Sequence, residues 1–121
     1  MRLLVTGGGT GGHINPALAI AQCFVQNDPN AEVLYAGTPT GMEARLVKEA
    51  GFRFAPIKVK GFRRSLSPSA VRHNVQAVAE AVTSRRRANE IIREFKPDLV
   101  IGTGGYVSGP VVLAAAKAGI P

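Results

Sequence analysis

Short apolar runs alternate with longer amphipathic segments along the 121 residues of the chain. Four of these runs have the length of buried strands: residues 2–6, 32–36, 52–57 and 98–101. Between the first two runs, apolar residues recur at the spacing of one buried helical face: Ala17, Ile20, Ala21, Phe24 and Val25. Strands that alternate with helices predict a parallel sheet with right-handed crossovers. The pattern therefore predicts an α/β, Rossmann-like domain with helices on both faces of the sheet.

Local signals predict where the first two helices begin. Asn15 is a candidate N-cap with Pro16 in the first turn, although a start one turn earlier, near Gly12, fits as well. In the second helix, Thr40 followed by Glu43 has the spacing of a capping box. The only cysteine, Cys23, falls within the apolar pattern of the first helix and is expected in the core.

A long helix is predicted from Ser67, as N-cap, and Pro68 to about Lys96, and a last helix over residues 110–117. The long helix carries two apolar stripes about 100° apart. One consists of valines and the other of alanines and larger residues: Val71, Val75, Val78 and Val82; and Ala77, Ala81, Ala88, Ile91 and Phe95. Both stripes cannot easily face one core.

The first strand runs into a glycine loop that fits two phosphate-binding templates incompletely. Gly7, Gly9 and Gly12 satisfy G-x-G-x-x-G between a strand and a helix, but residues 36–38 lack the acid that holds a dinucleotide ribose. As a P-loop, the segment has His13 where the phosphate lysine belongs. A glycine turn without a ligand remains an alternative.

A second glycine loop, residues 102–109, follows the fourth strand. In a doubly wound sheet the first and fourth strands are neighbours, and ligands bind in the crevice at their carboxyl ends. The two loops are then expected to face each other, with two helix N-termini directed at one anionic ligand such as a diphosphate. Tyr106 and Ser108 are candidate hydroxyl donors, although a packed Tyr106 fits equally well.

His13 follows the first glycine loop directly. A helix N-terminus favours the neutral imidazole, which can accept a proton as a general base must. A histidine that only contacts phosphate is the alternative. His73 is expected at the surface, and the sequence has no cluster with metal-ligand spacing, so we expect neither a metal nor a cofactor.

The chain has a net charge of +7, which is confined to one region. Nine basic residues lie between Arg53 and Arg87, against Glu80 alone, and the rest of the chain is nearly neutral. One face that meets an anionic partner is therefore expected. A nucleic-acid binder is disfavoured by the 6% aromatic content and leaves the glycine loops unexplained.

Three ordered segments, GGGTGGHINPALAIA, GTPTGMEARLV and GTGGYVSGPVVLAAAKAGIP, are similar to the amino-terminal domain of the MurG family. These bacterial enzymes transfer N-acetylglucosamine from UDP-N-acetylglucosamine to lipid I in peptidoglycan synthesis. The resemblance implies one half of a two-domain GT-B glycosyltransferase, in which this half receives the lipid-linked muramyl-peptide acceptor. It implies that His13 is the catalytic base of an inverting transfer. The implied acceptor diphosphate site comprises Gly7, Gly8, Gly9, Thr10, Gly11, Gly12, Gly104, Gly105, Tyr106 and Ser108.

Residues 1–121 are accordingly expected to form the acceptor domain, ending before its last strands and without the donor domain that holds the nucleotide sugar. Alone, this piece is predicted to be inactive, because a base without a bound donor has nothing to displace. A nicotinamide dinucleotide-binding module and a non-catalytic, membrane-docked acceptor-binding subunit remain the alternatives.

The valine stripe and its basic neighbours suit a reversible contact with an anionic membrane surface. The predicted contact residues are Arg63, Arg64, Val71, Arg72, Val75, Val78, Val82, Arg85 and Arg86. A core valine stripe beside a solvated arginine face is the alternative from pattern alone, and the lipid-linked acceptor favours docking. With the resemblance, this predicts a peripheral protein on the cytoplasmic face of the bacterial inner membrane.

Overall fold

The computed structural model describes residues 1–59 and 68–121, except for the side chains of residues 77, 80 and 81. Within these residues, four strands alternate with four helices, as the sequence pattern predicts. In chain order the elements are β1 (Arg2–Thr6), α1 (Gly11–Asn27), β2 (Glu32–Gly37), α2 (Met42–Glu49), β3 (Arg53–Pro56), α3 (Pro68–Phe95), β4 (Leu99–Gly102) and α4 (Ser108–Lys117).

The strands form one parallel sheet in the order β3-β2-β1-β4. Leu4 of β1 pairs with Leu34 of β2 on one side and with Val100 of β4 on the other. Because the chain continues from β1 outward to β3 and then returns to place β4 beside β1, the strand order reverses between β1 and β4. The predicted neighbourhood of the first and fourth strands is confirmed.

Helices cover both faces of the sheet, as predicted. Leu3, Val5 and Tyr35 pack with α1 and α2 on one face. Leu4 and Leu34 pack on the other face with α3 and α4. Alternate residues of a strand thus enter different cores, which is why the middle of β1 and of β2 is a continuous apolar run.

The first helix begins at Gly11, so the alternative start near Gly12 is confirmed and Asn15 is not the N-cap. Thr10 is the N-cap residue, and its carbonyl accepts the N–H groups of His13 and Ile14, both at 3.1 Å. Pro16 consequently lies inside the helix. The expectations that Cys23 is a core residue and that Val25 belongs to the buried face are wrong, because both residues are exposed on α1.

The long helix α3 runs antiparallel to the strands and is longer than the strands against which it packs. The Phe95 carbonyl accepts a hydrogen bond from Arg2 at the amino end of β1, 2.7 Å away. Arg87 Nε donates to the Pro56 carbonyl at the carboxyl end of β3, 3.1 Å away. Residues 68–83 therefore extend past the carboxyl edge of the sheet, by about 24 Å at the usual helical rise.

The two stripes of α3 have different surroundings. Ala88, Ile91 and Phe95 are buried against the sheet. The valines are exposed on the part that extends past the sheet: Val71, Val75, Val78 and Val82. For the described members, the expectation that both stripes do not share one core is confirmed. The side chains of Ala77 and Ala81 lie outside the described part of the helix. Within the described part of the chain, no helix is long and apolar enough to cross a bilayer.

Candidate functional site

The two glycine loops meet at the carboxyl edge of the sheet. We call residues 7–12 the first glycine loop and residues 102–109 the second glycine loop. Because β1 and β4 are adjacent, the Gly8 N–H reaches the Gly104 carbonyl at 3.2 Å, and the Thr103 N–H reaches the Thr6 carbonyl at 2.9 Å. The prediction that the two loops face each other is confirmed.

Glycine at two positions allows this close approach. Gly105 has a φ of +88°, and a Cβ there would overlap the carbonyl oxygen of Gly8. Gly104 has a φ of +126°, and a Cβ there would lie 2.7 Å from Cδ2 of the His13 ring. The second glycine loop therefore needs these glycines in order to pack against the first loop and against the imidazole.

His13 lies in the first turn of α1, and its ring is half-buried between the two loops. Its Nδ1 is 3.0 Å from the Gly8 carbonyl oxygen. A carbonyl oxygen only accepts, so Nδ1 must carry the hydrogen of the neutral ring, and Nε2 is left with a free lone pair. The imidazole is thus held in the tautomer that presents a proton acceptor beside Gly104.

Glu43, which sequence reasoning assigned to a capping box, instead supports the first glycine loop from inside the protein. Gly41, not Thr40, is the N-cap residue of α2, and no side chain caps that helix. The Glu43 side chain is fully buried. Its carboxylate accepts the N–H of Thr38 at 2.9 Å and the Thr38 hydroxyl, and the Gly9 N–H lies 3.5 Å away.

Glycines leave the space that this carboxylate occupies. A Cβ at Gly8, Gly37 or Gly41 would meet Glu43 atoms at less than van der Waals distance. The charge is stabilised by polar hydrogens and by the N-terminus of α2. Residues 36–38, at the carboxyl end of β2, include no acid, so the position that usually holds the ribose of a dinucleotide carries no carboxylate.

Tyr35, a second supporting residue that sequence reasoning missed, holds the start of the same loop. It is fully buried in β2, and its hydroxyl donates to the Gly7 carbonyl at 2.6 Å. Burial, with a smaller contribution from the Glu43 charge, raises the pKa of Tyr35 far above its usual value. The phenol therefore stays a hydrogen-bond donor to the loop. A tyrosine in an otherwise aliphatic buried strand was the available signal.

The two candidate hydroxyls of the second glycine loop have different surroundings. Tyr106 is 71% exposed, so the packed alternative is wrong. Ser108 is buried, and its Oγ lies 2.8 Å from the Gly104 carbonyl and 3.2 Å from the Gly104 nitrogen. Ser108 thus closes the turn of the loop.

The cleft between the loops has the features of an anion site. Among the described residues, the N–H groups of Gly11 and Gly12 donate to no protein acceptor, and they open the first turn of α1. The N-terminus of α4 begins in the second glycine loop. Free amides and two positive helix ends at one place favour a phosphate or diphosphate. In the described ranges, no group of three potential ligands is placed to hold a metal ion.

The predicted membrane residues form a separate surface. Val71, Val75, Val78 and Val82 are 48–64% exposed on α3. Arg72, Arg85 and Arg86 are exposed on the same helix. The other two predicted arginines, Arg63 and Arg64, lie outside the described residues. We call these valines together with Arg72, Arg85 and Arg86 the α3 surface. Its contact with a membrane stays a prediction.

A doubly wound parallel sheet whose two glycine loops meet at its carboxyl edge defines a Rossmann-like domain with an anion-binding site at the point where the strand order reverses. The comparisons with known proteins agree. Residues 3–121 match the glycosyltransferase family 28 N-terminal domain. The chain belongs to this family.

Relatives and solved structures give the same result. The chain is 53% identical to a protein from Desulfitobacterium hafniense and 50% identical to one from Limosilactobacillus fermentum. Both relatives are named UDP-N-acetylglucosamine–N-acetylmuramyl-(pentapeptide) pyrophosphoryl-undecaprenol N-acetylglucosamine transferase, and the match covers 100% of this chain and 32% of each relative. The crystal structure of Acinetobacter baumannii MurG superposes with a TM-score of 0.80 at 35% identity, over 99% of this chain and 33% of that chain.

The resemblance to MurG that was predicted from the three segments is therefore confirmed, as is the GT-B fold. A glycosyltransferase of kitacinnamycin shares this fold at 21% identity, with a TM-score of 0.67 over 99% of this chain and 28% of that chain. The chain spans about a third of the length of the relatives it matches.

Proposed function

We propose that this chain is the acceptor-binding domain of a glycosyltransferase that moves N-acetylglucosamine from UDP-N-acetylglucosamine to the muramyl sugar of membrane lipid I. The observation that carries the proposal is the position of the His13 ring between the two glycine loops, next to the free amides of Gly11 and Gly12. The names of the relatives support the choice of donor and acceptor. In this proposal the nucleotide sugar binds to a second, donor domain.

The acceptor diphosphate binds to the N–H groups of the first glycine loop and of the first turn of α1, with Tyr106 at the cleft opening. This places the muramyl sugar next to His13. Nε2 accepts the proton of the attacking hydroxyl while the oxygen forms a bond to the anomeric carbon of N-acetylglucosamine. The bond from that carbon to UDP breaks, UDP leaves with the electron pair, and the configuration inverts.

The first experiment follows the amide resonances of this chain by NMR during titration with a soluble lipid I analogue, NAD and UDP-N-acetylglucosamine in parallel. We expect shifts at residues 7–13 and 104–109 with the lipid I analogue alone. Shifts at these residues with NAD would instead identify a dinucleotide-binding module. If none of the three ligands shifts these residues, the proposed acceptor site is refuted.

Turnover requires a donor domain, so the role of His13 is tested in a chimera of residues 1–121 with the remaining part of a relative. His13→Ala should lower kcat by about 100-fold to 10,000-fold, the usual contribution of a general base. Binding of the acceptor analogue should be retained. If His13 only contacts the phosphate, His13→Ala should instead weaken acceptor binding and leave kcat nearly unchanged.

We also propose that the α3 surface docks on the anionic cytoplasmic face of the inner membrane. Each basic residue near such a membrane contributes about 1 kcal/mol, and partial burial of the valines contributes a few kcal/mol more. Both contributions together give reversible, peripheral binding. Co-sedimentation with anionic vesicles, in competition with an oligonucleotide, separates this proposal from nucleic-acid binding, because only vesicles offer an apolar phase to the valines.

A further inference from the structure

The peptide unit between Gly8 and Gly9 lies between the buried carboxylate and the imidazole. Its carbonyl oxygen, from Gly8, is the acceptor 3.0 Å from Nδ1 of His13. Its N–H group, from Gly9, is directed at Oε2 of Glu43, with 3.5 Å between the nitrogen and that oxygen. In a trans peptide these two bonds point in opposite directions. One peptide unit therefore has Glu43 on one side and His13 on the other.

The Glu43 side chain acts on this peptide as a buried charge. It is fully buried, and among the described residues it takes part in no ion pair, so its hydrogen-bond partners are neutral groups. Oε1 accepts both donors of Thr38, which leaves Oε2 for the Gly9 N–H. A separation of 3.5 Å is long for a hydrogen bond, but in a poorly solvated interior a full charge polarises a peptide at that distance.

Polarisation of this peptide strengthens the contact at its other end. A negative charge next to the N–H group shifts electron density toward the Gly8 carbonyl oxygen, which becomes a stronger acceptor for the hydrogen on Nδ1 of His13. Thr10 Oγ1 lies 3.5 Å from the same nitrogen, farther away than the Gly8 oxygen. The stronger acceptor keeps the hydrogen on Nδ1 and leaves Nε2 as the proton acceptor of the ring.

We propose that Glu43 is a positioning residue for His13 and acts through the Gly8–Gly9 peptide. The inference rests on the proposed function, in which His13 is the general base. The arrangement corresponds to the carboxylate–histidine pair of other enzymes, with a peptide unit inserted between the two side chains. No proton crosses the peptide, because the hydrogen on Nδ1 stays there and the proton of the acceptor hydroxyl goes to Nε2. Glu43 thus fixes the tautomer and the orientation of the base without touching the substrate.

The tautomer of His13 is measured by the nitrogen-15 chemical shifts of its ring, recorded on this chain at a pH at which the ring is neutral. In the parent, Nδ1 should have the shift of a nitrogen that bears hydrogen, and Nε2 that of a bare nitrogen. Glu43→Gln keeps the shape of the side chain and removes its charge, so the two shifts should move toward each other as the other tautomer becomes populated. A parent ring with its hydrogen on Nε2 would overturn the inference without any variant.

Tyr35→Phe controls for a general loss of loop support. It removes the hydrogen bond to the Gly7 carbonyl, in the preceding peptide unit, and leaves the Gly8–Gly9 peptide with its carboxylate. The ring shifts of His13 should therefore stay as they are in the parent. If Tyr35→Phe and Glu43→Gln change these shifts equally, Glu43 acts only by supporting the loop, and the inference is wrong.

Turnover in the chimera with the remaining part of a relative separates an effect on the base from an effect on binding. Glu43→Gln should lower kcat about tenfold, as for residues that orient metal-binding histidines, while binding of the soluble lipid I analogue is retained. Glu49→Gln, the same substitution at an exposed position of α2, is the matched control and should change neither quantity. Weaker binding of the analogue with an unchanged kcat would contradict the inference.

A double variant of the chimera distinguishes failure of the inference from failure of the proposed function. If the charge acts through the imidazole, Glu43→Gln should lower kcat no further in a protein that already carries His13→Ala. An equal loss in both backgrounds would show that Glu43 acts by another route, while the function of His13 as the base stands. If His13→Ala leaves kcat unchanged, the proposed base is wrong and the inference is wrong with it.

Discussion

Substitution of Gly105 by alanine measures how tightly the two glycine loops pack. Its φ of +88° costs a side chain about 1–2 kcal/mol of strain, and the new Cβ would also overlap the Gly8 carbonyl. Gly9 is the reference, because its φ of +89° imposes the same strain while a Cβ there meets nothing within 4 Å. The difference between the two variants therefore isolates the contact between the loops.

We expect Gly9→Ala to lower the free energy of unfolding by about 1–2 kcal/mol. Gly105→Ala should lower it by about 3 kcal/mol or more, because separating the loops also breaks the hydrogen bond from Gly8 to Gly104. Gly109→Ala is the opposite control. Gly109 lies in α4 with open space around it, so alanine should stabilise the protein by about 0.5–1 kcal/mol.

Urea unfolding followed by circular dichroism measures all three variants, and the shift of the midpoint at a common slope gives each difference. If Gly105→Ala costs no more than Gly9→Ala, the loops do not pack as described, and the explanation of the cleft is refuted. A destabilising Gly109→Ala would show that α4 does not begin where the structure places it.

Three further predictions concern the support of the loops and the α3 surface. Glu43→Gln should lower the free energy of unfolding by about 1–3 kcal/mol. Glu43→Ala should lower it by more, because alanine leaves buried donors without an acceptor. Equal melting temperatures of both variants and the parent would contradict this prediction. Tyr35→Phe should cost about 1 kcal/mol at pH 7. Because the pKa of Tyr35 is raised in the folded protein, this stabilising contribution is present below about pH 10 and is lost as the pH rises further, so the parent's advantage over Tyr35→Phe should shrink in alkaline urea titrations. Val78→Asp should weaken binding to anionic vesicles about tenfold or more. Val25→Asp, at an exposed valine of α1, is the control and should not weaken this binding. Equal binding of the two variants would show that the α3 surface is not the docking site.

The sequence was sufficient to predict the sheet and the facing loops, because both follow from general rules. Strands that alternate with helices give a parallel sheet, and the return of the chain places β4 beside β1. The loops after those two strands then meet without any specific side-chain contact being known. His13 was found for the same reason, since it directly follows a strand-to-helix glycine turn.

The sequence was not sufficient to predict the buried carboxylate beneath the loop. Thr40 and Glu43 have the spacing of a capping box, and the same spacing fits a glutamate that turns inward. The inward position of Glu43 depends on the space beside Gly8, which follows β1, and beside Gly37, which ends β2. Such space depends on tertiary packing, and no local pattern records it.

The sequence left the start of α1 open between Asn15 and a position near Gly12, for a related reason. Glycine disfavours a helix, so local propensity favours the later start, whereas the structure has the earlier one. In the folded protein the His13 carbonyl accepts the Thr103 hydroxyl at 2.6 Å, and the His13 ring is fixed on Gly8. These contacts with the second glycine loop and the first hold the early turn in place, against the preference of its residues.

The extension of α3 past the sheet has a consequence for local unfolding. From Ser84 to Phe95 the helix is anchored by the core, whereas Ala70 is the only buried side chain described for residues 68–83. Among the described side chains, opening of the outer turns therefore exposes less buried surface than opening of the inner turns. Amide hydrogen exchange should therefore be graded along a single helix, with slow exchange near Ile91 and rapid exchange near Val75, because the outer turns open while the domain stays folded.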